Sequence, residues 1–347
     1  MTAARVSIRE VATLAAVSIG TVSNVLNRPE LVAPATRERV ELAITELGFV
    51  RNESARQLRT ARSRTVGLVV LDVANPFFTD LARGVEDATC EAGLVVILCN
   101  SDGERAKERR YLTLLAEQRV QGVLLVPVDG ATQPSQALRQ QGIPLVAVDA
   151  GVDQASGCSV SVDDRRGGEL AVEHLSSLGH RNIVFVGGGN RERQVTDRLR
   201  GAQAAARRWG ATLELVPVAG LTVDGGREAG QLLLRRPPAE RPSAAFCAND
   251  LVALGLSREM ALARVPVPAK LAIVGYDDID FAGSAAVPLS SVRQPRYQLG
   301  YEAARLLLEE TADSAHRHRR VVFEPELVQR ESSAAPGTPR RTTRGAR

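Results

Sequence analysis

Residues 7–27 read SIREVATLAAVSIGTVSNVLN, and their spacing organises the rest of the chain. Ser7 and Glu10 make a Ser-x-x-Glu capping box at the start of a helix whose Ile8, Val11, Ala12 and Ala15 form one apolar stripe. This helix is expected to end near Ala15. Ser18 supplies a second N-cap and Val22, Val25 and Leu26 recur at helical spacing, so a tight turn over Ala16-Val17-Ser18 joins two short helices. Small Ala12 and Ala16 let the pair approach closely. Ile19, Gly20, Thr21, Ser23 and Asn24 are left on the outer face at the N-terminal end of the second helix, where a helix-turn-helix reaches base edges in a DNA major groove. Taken alone, the pattern fits an ordinary helical hairpin equally well.

The following residues tip that balance. Pro34 sits at the first position of a third helix running through Thr36 to Leu47, with Val40, Ala43, Ile44 and Leu47 on one face and Gly48 as its stop. Three short helices make a headpiece. Beyond it, Asn52 caps a short helix-capable run, Ser54 to Leu58, which ends in a basic stretch from Arg59 to Arg64.

From residue 6 to about 331 the chain resembles the lactose-repressor/galactose-repressor family of bacterial transcription factors. The resemblance is carried by VATLAAVSIGTVSNVLN, TRERVELAITELGFVRNESARQL, DVANPFF, VEHLSSLGH, RLRGAQ, FCANDLVALG and VGYDDID, in that order. It implies a homodimer that binds pseudo-palindromic double-stranded operator DNA through Ser7, Ser18, Ile19, Gly20, Thr21, Ser23, Asn24 and Asn27. It further implies a hinge over residues 51–64, with Asn52, Ala55 and Leu58 at the DNA and Leu58 wedged into the minor groove at the centre of the site.

Charge agrees with a nucleic-acid partner. Residues 1–64 hold ten arginines and six acids, hence +4, and residues 316–347 hold eight arginines and three acids, hence +5, whereas the whole chain carries only +4. A basic headpiece on an acidic body suits approach to the phosphate backbone. No apolar run approaches membrane-spanning length and no signal peptide precedes the first helix, so a cytoplasmic protein is expected. Cys90, Cys99, Cys158 and Cys247 are scattered, with no Cys-x-x-Cys and no histidine at ligand spacing, so neither a disulfide framework nor a metal site is expected.

After Arg64 apolar strands alternate with helices: TVGLVVLDV, VVILCNSD, GVLLVPV and PLVAVD, then SVSVD, NIVFVGG, LELVPVA, SAAFCAND and LAIVGYDD. Near-continuous apolar strands of this kind form parallel sheets covered on both faces. The expected architecture is an all-α headpiece over residues 1–50 and an α/β body over 65–331 made of two doubly wound parallel-sheet halves, similar to periplasmic binding proteins. The family resemblance implies that the chain crosses between halves near 161, 291 and 321. The Ser-, Pro- and Arg-rich tail, residues 332–347, is expected to be disordered.

Polar groups of types suited to a polyhydroxylated ligand gather near the expected strand ends: Asp149, Arg198, Arg200, Asn249, Asp277 and Gln294. By resemblance Asp149, Arg200, Asn249, Asp277 and Gln294 match effector-binding positions, with Phe77 and Phe78 flanking a sugar ring. Where many sugar-responsive relatives place an aromatic residue before a Thr-Val-x-Gly-Gly segment, this chain has Leu221. That substitution weakens stacking and leaves room for a small pentose, a deoxysugar, a non-sugar metabolite or a protein cofactor. Adjacent acids such as Asp277-Asp278 point to opposite faces of a strand and cannot share one reacting atom. His174, His180, His316 and His318 read as structural or solvent-facing. The expectation is therefore a ligand-controlled regulator with no catalytic residues and no cofactor. A sugar-transport receptor would share the body but need an export signal and lack the headpiece, and a nucleotide-dependent sugar enzyme would need a phosphate loop.

Overall fold

The computed structural model describes residues 6–49, 63–128, 138, 140, 142–150, 157–188, 193–313 and 315–333. The expected hinge residues Asn52, Ala55 and Leu58, and the tail from 334 onward, lie outside these residues. The chain divides into two units, residues 1–62 and 63–347.

In the first unit α1 (Ile8–Leu14), α2 (Ile19–Asn27) and α3 (Pro34–Leu47) close around Val11, Ala12, Ala15, Val22, Val25, Val40 and Ala43. The Ser7 amide and hydroxyl donate to Glu10 Oε2 at 2.6 and 2.8 Å, and Ser18 Oγ accepts the Thr21 amide at 3.0 Å, so both N-termini find their orphan donors a partner locally. The turn between α1 and α2 requires a left-handed residue, which Ala16 supplies at φ 51°. Gly48 ends α3 at φ 61°.

The second unit holds two six-stranded sheets. The first runs in the order β11-β5-β4-β3-β1-β2, built from β1 (Thr65–Val70), β2 (Val95–Asn100), β3 (Gly122–Leu125), β4 (Leu145–Val148), β5 (Ser159–Val162) and β11 (Arg320–Phe323), all parallel. The second runs β12-β10-β9-β8-β6-β7, from β6 (Asn182–Val186), β7 (Thr212–Val216), β8 (Ala244–Cys247), β9 (Ala272–Asp277), β10 (Ser290–Arg293) and β12 (Glu326–Val328), with only β12 antiparallel. The chain changes sheet after β5, again after β10, and a last time between β11 and β12. The central strands β3 and β4 are buried along their whole length and β1 at every residue but Thr65, whereas β2, at a sheet edge, leaves Val95 and Leu98 exposed.

Helices cover the sheets in close pairs. α4 (Pro76–Glu91) lies on α11 (Arg296–Ala312), α6 (Asp164–Ser177) on α7 (Arg193–Trp209), and α8 (Val223–Leu234) on α9 (Asp250–Leu262). A Cβ at Gly168 would lie 2.0 Å from Arg198 O, and one at Gly201 1.9 Å from Arg165 O, so these two glycines let the α6 and α7 backbones touch.

Two expectations need correction. The tail does not begin at 332: Ser332 Oγ accepts the Ser290 amide at 2.8 Å and donates to Ile273 O at 2.6 Å, and Ser333 Oγ sits 2.7 Å from His174 Nε2. Burial there pushes the His174 pKa down to about 4. Arg200, expected at the effector, lies instead on the exposed side of the helix Arg193–Trp209.

Candidate functional site

On the first unit, Ser7, Ser18, Ile19, Gly20, Asn24 and Asn27 are exposed while Thr21 and Ser23 are half-buried. Val22, Val25 and Leu26 of this helix pack on the core while Ile19 stays 45% exposed, an apolar side chain facing outward at the helix N-terminus. Thr21 Oγ1 lies 2.9 Å from Ser18 Oγ, and Asn27 Nδ2 donates to Ser23 O at 2.7 Å. Asn24 is thus the exposed amide on this face best placed to offer its donor and acceptor to a base edge.

On the second unit, the carboxyl ends of β1, β4, β8 and β9 face a cleft of about 570 Å³ between the two sheets. A ligand in a doubly wound sheet sits at these ends, next to the point where strand order reverses, here between β1 and β3 and between β6 and β8. Phe77, Phe78, Asp149, Arg198, Leu221, Asn249, Asp277 and Gln294 all line it. Phe77 and Phe78 open α4 behind the Asn75 cap, whose Oδ1 accepts the Phe77 amide at 3.0 Å, and their rings meet edge to face at 5.0 Å. Asn249 caps α9 through the Val252 amide at 2.9 Å and donates to Leu221 O at 3.0 Å.

Arg200 is elsewhere. Two residues on from Arg198 in the same helix, it is turned about 200° away and pairs with Asp197 at 3.1 Å, its side chain 60% exposed. Arg198 holds the interior instead. Its Nε donates to Asp164 Oδ1 at 2.8 Å, its Nη1 to Ala248 O at 2.7 Å, and its guanidinium lies 3.7 Å from the Tyr276 ring centroid. Burial works against the charge, but Asp164, Tyr276, Asp277 and Asp149 together hold its pKa above the ordinary arginine value.

The acids respond in the opposite sense. Burial, reinforced by the nearby Asp164 charge, pushes Asp149 up to about 8, with Arg198 and Gln194 opposing. Burial pushes Asp277 to about 6 against Arg198, Gln294 and Asn75, and lifts Asp164 as well. Asp149, just past β4, and Asp277, the last residue of β9, both have positive φ, 53° and 103°, a strained backbone that aims their carboxyls. Gln294 Nε2 donates to Asp277 Oδ1 at 2.7 Å, and Asp149 Oδ1 and Gln294 Oε1 are buried with no partner among the described residues.

Sequence reasoning missed Gln194, Thr222, Asp72, Asn75, Asp102 and Arg105, which also line the cleft. Gln194 donates across it, from α7 on the second sheet to Asp149 Oδ2 on the first at 3.0 Å. In the sequence Asp164 reads only as one of two adjacent acids, Asp163-Asp164, that cannot share one reacting atom. Only the fold brings it to Arg198.

Residues 7–52 match the pattern of bacterial regulatory proteins, lacI family, and residues 172–333 that of a periplasmic binding protein-like domain. The HTH-type transcriptional repressor PurR of Photobacterium profundum is 34% identical over 334 residues, 94% of this chain and 98% of the relative. Among solved structures, the complex of the transcriptional regulator CelR with cellobiose is similar over 94% of this chain and 100% of its own, at 34% identity and a TM-score of 0.69. The Lac repressor dimer bound to operator and the anti-inducer ONPF is similar over 95% of this chain and 100% of its own, at 26% identity and a TM-score of 0.81. No helix among the described residues is long and apolar enough to cross a membrane.

Proposed function

The chain belongs to the lacI family of bacterial regulatory proteins, and from that premise we propose that its controlling ligand is an uncharged polyhydroxylated molecule, a sugar or a close chemical relative. The protein is a DNA-binding transcriptional repressor whose operator affinity is set by a small molecule in the cleft between the two sheets. The observation that carries the ligand class is the pair of unpartnered buried oxygens, Asp149 Oδ1 and Gln294 Oε1, in residues lining a cleft that also holds Asp72, Asp102 and Asp277. A hydroxyl both donates and accepts, and so serves either oxygen whether or not Asp149 carries its proton. An anionic ligand would meet four acids against two arginines, Arg105 and Arg198, and Arg198 is already engaged by Asp164. Phe77 and Phe78 offer an apolar wall to a ring face.

In this reading the protein works in the cytoplasm as a homodimer on a pseudo-palindromic site, and the similar Lac repressor structure is a dimer bound to operator. Asn24 and Ile19 read base edges, and Leu58 wedges the central step. The ligand breaks or completes the Gln194 to Asp149 bridge, so opening or closing of the two lobes is its lever on the paired hinges. Calorimetric titration with neutral mono- and disaccharides, and with their phosphates as controls, tests the class. Binding of a neutral sugar that weakens at least tenfold in Asp277→Asn supports it, and binding of anionic ligands alone contradicts it.

A further inference from the structure

Away from the cleft, at the edge of the first sheet where its strands begin, four side chains of metal-ligating type converge. Cys158 Sγ lies 3.2 Å from His316 Nε2 and 3.9 Å from His318 Nδ1, and His318 Nδ1 lies 3.9 Å from Glu310 Oε2. All four ligand atoms fall within 4.8 Å of one another. We propose that Cys158, Glu310, His316 and His318 form a tetrahedral site for a divalent cation of the zinc class.

The fold assembles this set from three places. β5 and β11 pair in register Ser159 with Arg320, so Cys158 and Arg319 stand side by side just before the two strands. The Ser159 amide donates to Arg319 O at 3.0 Å, and the Arg319 amide donates to Cys158 Sγ at 3.3 Å. His316 and His318 precede β11 two residues apart, with their ring centroids 6.0 Å from each other. Arg317 between them is exposed while both histidines are half-buried. Glu310 comes down from the last turn of α11.

The chemistry matches the arrangement. Zinc bonds of about 2.3 Å to sulfur and about 2.0–2.2 Å to nitrogen and oxygen, set tetrahedrally, separate ligand atoms by about 3.5 Å, and the three separations above bracket that value. A thiolate and a carboxylate with two neutral imidazoles cancel the charge of a dication, which matters where Cys158 is fully buried. A backbone amide pointing at the sulfur is the outer-shell contact that steadies a metal-bound thiolate. A thiol hydrogen-bonded to an imidazole would use one ring, whereas here two rings and a carboxylate share one space. The bound ion would clamp the connection between α11 and β11 onto β5, at the opposite ends of the strands from the ligand cleft.

The test is a titration of tag-free, full-length protein with Co²⁺ and Zn²⁺. The site predicts one metal per chain, a near-ultraviolet thiolate-to-cobalt charge-transfer band with intense tetrahedral visible bands, and a melting temperature raised by Zn²⁺. Cys158→Ser should lose the charge-transfer band, and His318→Gln should bind Zn²⁺ at least tenfold more weakly while melting like the wild type when metal-free. A band that survives Cys158→Ser would come from exposed Cys90 or half-buried Cys99 and would overturn the proposal, as would the absence of any Zn²⁺-induced melting shift in the wild type.

Discussion

Replacing Arg198 with leucine probes the interior of the cleft most severely. The residue is 5% exposed and makes two charge-assisted hydrogen bonds, to Asp164 and Ala248 O, beneath the Tyr276 ring. Such bonds at about 1.5–3 kcal/mol each and a desolvated cation–π contact at about 2 kcal/mol would sum to more than the observed cost of such changes. Relaxation and water entry bring the loss of one partner from a buried ion pair to about 3–5 kcal/mol. Most of that is the stranded charge of Asp164, with Asp149 and Asp277 close by. The cost must therefore depend on pH. Asp149 already stands at about 8 and Asp277 at about 6, both far above the ordinary 3.8, and removing the cation drives them higher. A carboxyl with a raised folded pKa keeps its proton in the folded state after the unfolded chain has lost it, so stability falls as pH rises from about 4 to about 8 and returns on acidification. Arg198→Leu is expected to cost about 3–5 kcal/mol near pH 8.5 and about half that or less near pH 5.5. Trp209, the single tryptophan, ends the same helix and reports urea unfolding of this lobe by fluorescence. A loss below about 1 kcal/mol, or the same loss at both pH values, would refute the reasoning.

Arg200→Ala, by contrast, removes only an exposed pair with Asp197, and should leave ligand affinity within about twofold and stability within about 0.5 kcal/mol by calorimetry and urea titration. Asn24→Ala should weaken operator binding by about 1–3 kcal/mol and relax preference at one base pair per half-site, read by competition against operator variants. Asp149→Asn should flatten the decline of melting temperature between pH 5 and 8.5, because the wild-type contribution is present at low pH and lost as pH climbs toward about 8, and parallel curves would remove Asp149 as its source. Leu58→Ala should reduce operator binding far more than binding to random duplex, and equal losses would show that this residue does not read the centre of the site.

What was legible in the sequence was what is settled within one turn. The Ser7 and Ser18 caps and the Gly48 stop act over three or four positions, and each is found where its neighbours dictate. The strands announced themselves by apolar runs, and acids at their ends, such as Asp149 and Asp277, point into the cleft. Arg200 was misplaced because RLRG offers two arginines, and only the true start of α7 at Arg193 decides which faces inward. Asp164 and Gln194 are invisible for the same reason, since their partners lie 34 and 45 positions away. The pairing of Cys158 with His316 spans 158 positions and exists only because β5 and β11 are neighbours. Ser332 and Ser333 look like linker residues by composition, yet they fill hydrogen bonds that β10 and His174 leave open.

The central claim is that one molecule couples a DNA face to a ligand cleft, and thermodynamic reciprocity tests it most directly. Duplexes selected by the protein from a random pool should share a pseudo-palindrome and bind about a thousandfold or more tighter than unselected DNA at physiological salt. Titration of that operator with and without a cleft ligand, and of the ligand with and without operator, should give the same coupling factor, about fivefold or more, in both directions. Selection of no common sequence, or a ligand affinity that operator leaves unchanged, would contradict the account.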